Sequence, residues 1–135
     1  MGKRSTGRKL AMQALYQAEI QRLDIQELLD EFLAQSNPNA DTRDWAKELA
    51  GNAFLHIEDA DTKIKDYAIN WDLSRLNLVD KSILRLAIYE LDHTETPINI
   101  VLNEAIEIAR EFSTDESPKF INGILGNYIK RDEDS

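Results

Sequence analysis

The chain of 135 residues contains no cysteine. Disulfides, zinc–thiolate centres and iron–sulfur clusters are therefore excluded, and a reducing compartment is the expected setting. Histidine occurs twice, at His56 and His93, glycine five times and proline three. No apolar run approaches the roughly 18 residues needed to cross a bilayer. The start of the chain leads into Gln13, Gln17 and Glu19, not into the apolar core of a signal peptide. A cytoplasmic, soluble protein is expected. The hydrophobic share of 42% is enough for one globular domain of this length.

What is present is helical periodicity. Apolar residues recur at three- and four-residue spacing, without sustained alternation. A first helix spans about Thr6 to Arg22, with Met12, Tyr16, Ile20 and Leu23 in one stripe and Ala11, Leu15 and Ala18 beside it. Asp24 opens a second helix through a capping-box pattern with Glu27. Ser36-Asn37-Pro38-Asn39 reads as a loop, and Asp41 as the cap of a third helix. That helix carries Trp45, Leu49, Ala53 and His56 on one face. A fourth covers Asp59 to Ile69, and Trp71 to Leu76 is a short connection. Leu78 to Leu91 is apolar nearly all round, the mark of a central helix. A sixth starts near Pro97, and a seventh at Ser117-Pro118, read as cap and first-turn proline. The expected fold class is all-α: a compact single-domain bundle of six to seven helices over residues 1–135. Residues 1–5 are expected to be a flexible basic arm and residues 131–135 a frayed tail.

Catalytic and metal chemistry find little support. Glu90 and His93 have the spacing of a carboxylate di-metal motif, but no second copy exists. A histidine favoured by the helix C-terminus is the simpler reading. Glu104, Glu107 and Glu111 share a helix face that reads as solvated. There is no glycine-rich phosphate loop and no nucleophile elbow. No catalytic residue, cofactor site or metal site is assigned. Gly123 and Gly126 sit inside the last helix, where each glycine costs about 1 kcal/mol relative to alanine. Close packing or backbone approach to a ligand would explain them.

Charge is more informative. Lys3, Arg4, Arg8 and Lys9 put four basic residues and no acid into the first nine positions. The whole chain has 16 basic and 25 acidic residues, so 12 remain against 25 elsewhere. One end of an acidic protein can thus meet a polyanion. Four phosphate contacts to a single strand would give a salt slope of roughly −2.8, a roughly fifty-fold loss between 50 and 200 mM salt. Such an end needs a further surface. Lys119 and Phe120, at the start of the last helix, are the best candidates for phosphate and base contact, with ordinary core packing of Phe120 as the alternative.

Four segments occur in an order and spacing that resemble the NusB family of bacterial transcription antitermination factors. They are Gln13-Ala14-Leu15-Tyr16; Leu84-Arg85-Leu86-Ala87-Ile88-Tyr89-Glu90-Leu91; Asn103-Glu104-Ala105-Ile106-Glu107-Ile108-Ala109; and Lys119-Phe120-Ile121-Asn122-Gly123-Ile124-Leu125. The resemblance covers essentially the whole chain. It implies two packed helical subdomains, no enzymatic activity, and binding of boxA RNA with the ribosomal protein NusE. It further implies action on RNA polymerase at terminators, notably in ribosomal RNA operons. RNA contacts would map to Lys3, Arg4, Arg8, Lys9, Lys119 and Phe120, and NusE contacts to Tyr16 and Asp80. Ser5, Thr6 and Gly7 thin the basic cluster relative to the family pattern.

Two other classes compete. In one, the protein is an adaptor whose acidic surface docks NusE with little RNA contact of its own. In the other it is an RNA-modifying enzyme, since NusB-like domains occur fused to RNA cytosine methyltransferases; 135 residues leave no room for a cofactor domain. The resemblance also allows a homodimer.

Overall fold

The computed structural model describes residues 2–131 and, at Lys3, the backbone alone. Its helices are α1 (Lys3–Gln21), α2 (Ile25–Ser36), α3 (Ala40–Leu55), α4 (Ile57–Tyr67), α5 (Leu78–His93), α6 (Ile98–Phe112) and α7 (Ser117–Lys130), with a 3-10 turn at Leu73–Arg75. The described residues contain no strand, so the fold is all-α. The chain divides into two compact units, the first ending at Leu55 and the second beginning at His56. The tail beyond Arg131, expected to fray, lies outside the described residues.

The first unit is α1, α2 and α3. Helix α1 starts three residues earlier than the periodicity predicts, so Lys3, Arg4 and Ser5 are helical. Ile20 is 55% exposed, so the expected apolar stripe ends before it. Asp24 caps α2 by accepting the Gln26 N–H at 2.9 Å. The cap of α3 is Asn39, two residues ahead of the expected Asp41: Asn39 Oδ1 accepts the Thr42 N–H at 2.9 Å. Alanines recur on the buried faces of the two helices that pack along each other, Ala11, Ala14 and Ala18 on α1 and Ala46, Ala50 and Ala53 on α3. Ile25, Leu28, Leu29 and Leu33 add the buried face of α2.

In the second unit α5 is the centre, as its all-round apolar pattern implies. Every residue from Ser82 to Glu90 is buried. Its start is a capping box: Asn77 Oδ1 accepts the Asp80 N–H at 2.8 Å, and Asp80 Oδ2 accepts the Asn77 N–H at 3.3 Å. Asp80 Oδ1 also accepts a hydrogen bond from Ser113 Oγ at 2.6 Å, and Ser113 Oγ lies 2.8 Å from Ser117 Oγ. One polar joint thus ties the start of α5 to the end of α6 and the start of α7. Ser117, expected as the cap of α7, is instead its first helical residue, preceded by Glu116. Its hydroxyl accepts the Thr114 N–H at 3.2 Å.

The two glycines of α7 have different causes. A Cβ at Gly123 would lie 2.3 Å from Trp71 Cζ2, so the indole rests on the helix backbone there. A Cβ at Gly126 would meet nothing within 4 Å. Gly126→Ala is therefore expected to stabilise by about 0.5–1 kcal/mol through helix propensity. Gly123→Ala is expected to destabilise by about 1–3 kcal/mol through overpacking. Urea denaturation of the two variants checks the opposite signs.

Candidate nucleic-acid interface

The basic end of the chain is organised around Trp45. The Arg4 guanidinium carbon lies 4.5 Å from the Trp45 ring centroid and that of Arg8 lies 5.2 Å from it. Arg4 and Arg8 are four residues apart, so they share a face of α1. Gly7 makes the arrangement possible, because a Cβ there would sit 2.5 Å from Trp45 Cε3. The residue that seemed to thin the basic cluster is the one that seats the indole beneath it. Each guanidinium gains about 0.5–1 kcal/mol from the ring quadrupole and is held in place by it.

The two arginines are not equivalent. Arg4 is exposed, while Arg8 is only 4% exposed. Lys9 is half-buried, and the Lys3 side chain lies outside the described residues. The first turn of α1 has no acidic residue, and Gly2 offers no side-chain cap. The positive end of the helix dipole and basic side chains thus converge on one end of α1. That combination attracts anions, phosphate above all.

The other predicted residues lie in different settings. Tyr16 is half-buried on α1. Asp80 is 1% exposed, with its carboxylate committed to the capping box and to Ser113. The family resemblance implies a partner contact for Asp80; within this chain its carboxylate is engaged as an N-terminal cap requires. Lys119 is exposed in the first turn of α7, but Phe120 is 6% exposed. Trp71 meets Phe120 edge to face, with ring centroids 5.0 Å apart. The Arg75 guanidinium carbon lies 5.3 Å from the Phe120 centroid, and Arg75 Nη2 donates to both Glu116 carboxylate oxygens, at 2.5 and 2.6 Å. Phe120 has the packing role in this structure, covered by side chains from a loop that the sequence reading treated as a connection. Trp45, Trp71 and Arg75 went unassigned there. The signals for the two tryptophans were Gly7 and Gly123, glycines inside helices where alanine is the better helix former.

Metal chemistry has one geometric candidate among the described residues, Asp59, Asp92 and His93. Lys63 Nζ lies 2.8 Å from Asp59 Oδ2 and 2.5 Å from Asp92 Oδ2, so an ammonium already holds the two carboxylates. Glu90, the other residue of the sequence motif, is buried on α5. No helix of the described residues is long and apolar enough to cross a membrane.

An all-helical chain with guanidinium groups held over an indole at a helix N-terminus has the equipment of a binding protein. The NusB family model matches residues 5–130. The chain is 38% identical to the transcription antitermination protein NusB of Thermoanaerobacter sp. (strain X514) over 130 residues, covering 96% of this chain and 91% of that one. It superposes on T. maritima NusB with a TM-score of 0.83 at 33% identity, over 97% of this chain and 92% of that chain. It also matches a chain in the crystal structure of antitermination factors NusB and NusE in complex with double-stranded RNA. There the TM-score is 0.85 at 27% identity, over 96% of this chain and 98% of that chain. The chain belongs to the NusB family, and the curated relatives it matches are transcription antitermination proteins.

Proposed function

We propose that this protein is an antitermination factor that binds the boxA element of nascent RNA together with NusE. In the cytoplasm it promotes read-through of terminators by RNA polymerase, notably in ribosomal RNA operons. The observation that carries the reading is the pair Arg4 and Arg8 held over the Trp45 ring at the start of α1, whose first turn has no acidic residue. Basic charge is concentrated and fixed in geometry at one end of a chain of net charge −9. The similarity to a NusB that was solved with NusE and RNA supports the same pair of partners here. Lys3, Arg4, Arg8, Lys9 and Lys119 are the RNA contacts in this reading, and Tyr16 is a contact for NusE.

A gel shift with boxA-containing RNA and a scrambled control, with and without NusE, tests it. Preferential binding of boxA RNA is expected, strengthened by NusE. Equal binding of the scrambled RNA in both arms would sink the reading. Arg4→Ala with Arg8→Ala is expected to weaken binding roughly tenfold or more at 50 mM salt. The salt slope should fall by about 1.4, so the deficit shrinks as salt rises. Arg4→Ala alone, at the exposed position, is expected to remove about half of that slope.

The adaptor reading keeps one specific support: Arg8 and Phe120 are buried, which leaves the chain a small RNA footprint of its own. It predicts that boxA binding appears only with NusE and is indifferent to the Arg4→Ala exchange.

A further inference from the structure

We infer that Trp71 is a stacking site for one unpaired nucleobase of a single-stranded RNA. The inference rests on the RNA-binding reading above and adds a contact that the reading does not contain. Three features fix the indole in place. Asn70 adopts a left-handed backbone (φ 66°), which turns the chain sharply before Trp71, and the Trp71 N–H donates to Ala68 O at 3.1 Å. On the other side, Asp72 Oδ1 accepts the Ser74 N–H at 3.0 Å and the Ser74 hydroxyl at 2.6 Å. The ring then lies on the bare backbone of Gly123 and makes an edge-to-face contact with Phe120. Little rotamer freedom is left to lose on binding.

The ring is nevertheless not sealed. Trp71 is half-buried, and among the described residues no protein group accepts its Nε1–H. No buried side-chain polar atom of the described residues lacks a partner, so this N–H reaches solvent. Lys119 is exposed one turn before Gly123 on the same face of α7, and Asn122 is exposed beside it. An indole face, an open donor, an amide and one lysine suit a base with a single neighbouring phosphate. They do not suit a run of phosphates. Asp72 and Asp115 are exposed and would repel a backbone track, and Arg75, the other cation at this end of α7, is already held by Glu116. The contact is thus with a base face and not with the phosphate chain. Phe120, the aromatic residue that the sequence reading offers, supports Trp71 from below.

The test is a fluorescence-anisotropy titration of labelled single-stranded boxA RNA with wild type, Trp71→Phe and Trp71→Leu, at several salt concentrations. Trp71→Leu is expected to lose roughly 5- to 100-fold in affinity with an unchanged salt slope, and Trp71→Phe to lose less. Lys119→Ala is expected to lower the slope instead. An abasic scan of the RNA adds the specific readout. One nucleotide should matter to wild type, and its removal should cost nothing further in Trp71→Leu. Wild-type affinity in Trp71→Leu overturns the inference. So does a loss that is equal in the Phe and Leu variants and tracks their melting temperatures, because the role is then structural. If wild type itself fails to prefer boxA RNA over a scrambled strand, the parent reading fails, and that result is distinct from either.

Discussion

Asp92→Ala is expected to destabilise the protein by about 3 kcal/mol in urea denaturation, the range for removing one partner of a buried charge network. Asp92 is the penultimate residue of α5, and its side chain is 10% exposed. Oδ2 accepts from Lys63 Nζ at 2.5 Å and Oδ1 from the Tyr128 hydroxyl at 2.5 Å, with Arg131 Nη2 3.5 Å away. One carboxylate thus joins α4, α5 and α7. The Arg131 guanidinium carbon also lies 3.6 Å from the Tyr128 ring centroid. Asp92→Asn keeps an acceptor for the phenol and loses the charge, so its cost should be intermediate. If it equals wild type, the charge contributes nothing and the hydrogen bond alone matters.

The same network sets an alkaline limit. Burial, and then the hydrogen bond to Asp92, pushes the Tyr128 phenol up to about 12. Burial would lower the Lys63 pKa, but hydrogen bonds to Asp59, Asp92 and Tyr128 overcome it and hold the ammonium above its ordinary range. Both groups keep their protons in the folded state at a pH where the unfolded chain has released them. The unfolded state then binds fewer protons, so stability falls as pH rises. The fall is expected to begin near pH 10 and to continue through about 12, and unfolding at pH 8, 10 and 11.5 measures it. In Asp92→Ala the fall should be shallower, since Lys63 and Tyr128 both lose a partner that favours their protonated forms.

The parts of the fold that were legible share a cause: they are written in contiguous residues. Helix α5 is apolar around most of its circumference, and burial from Ser82 to Glu90 follows from that. Glu107 pairs with Arg110 on the solvated face of α6, as the run of acids suggested. Cap choices were less legible, because neighbouring polar residues compete. Asn39 and Asp41 both suit the start of α3, and the bond from Thr42 N–H settles it for Asn39. Asn77-x-x-Asp80 carries a capping box in plain sight, yet Asp80 was assigned only through the family resemblance. The division at Leu55 has no proline or glycine to announce it, because α3 and α4 are separated by His56 alone.

The candidate site divides in the same way. Arg4 and Arg8 announce themselves by charge. Trp45 does not, because an aromatic at helical spacing with Leu49 and Ala53 reads as core. Its function depends on Gly7, more than thirty residues earlier in the chain. Trp71 and Arg75 reach Phe120 across a comparable gap, so no local pattern reveals that Phe120 is covered.

Phe120→Ala is therefore expected to act on folding first. Truncating a buried phenylalanine costs about 3–5 kcal/mol through lost transfer energy and the cavity left behind. Here the cavity would open beneath Trp71 and beside Arg75, the two groups that pack on the ring. The melting temperature should fall by roughly 9–25 °C, since each kcal/mol shifts a domain of this size by roughly 3–5 °C. Phe120→Leu separates packing from contact. It refills most of the volume with aliphatic carbon and removes the ring face, so it should recover most of the stability. If Phe120 only supports Trp71, RNA affinity should recover with it. A Phe120→Leu variant that melts near wild type but still binds boxA RNA tenfold more weakly would make Phe120 a direct contact. The ring would then have to move out from under Trp71 when RNA binds.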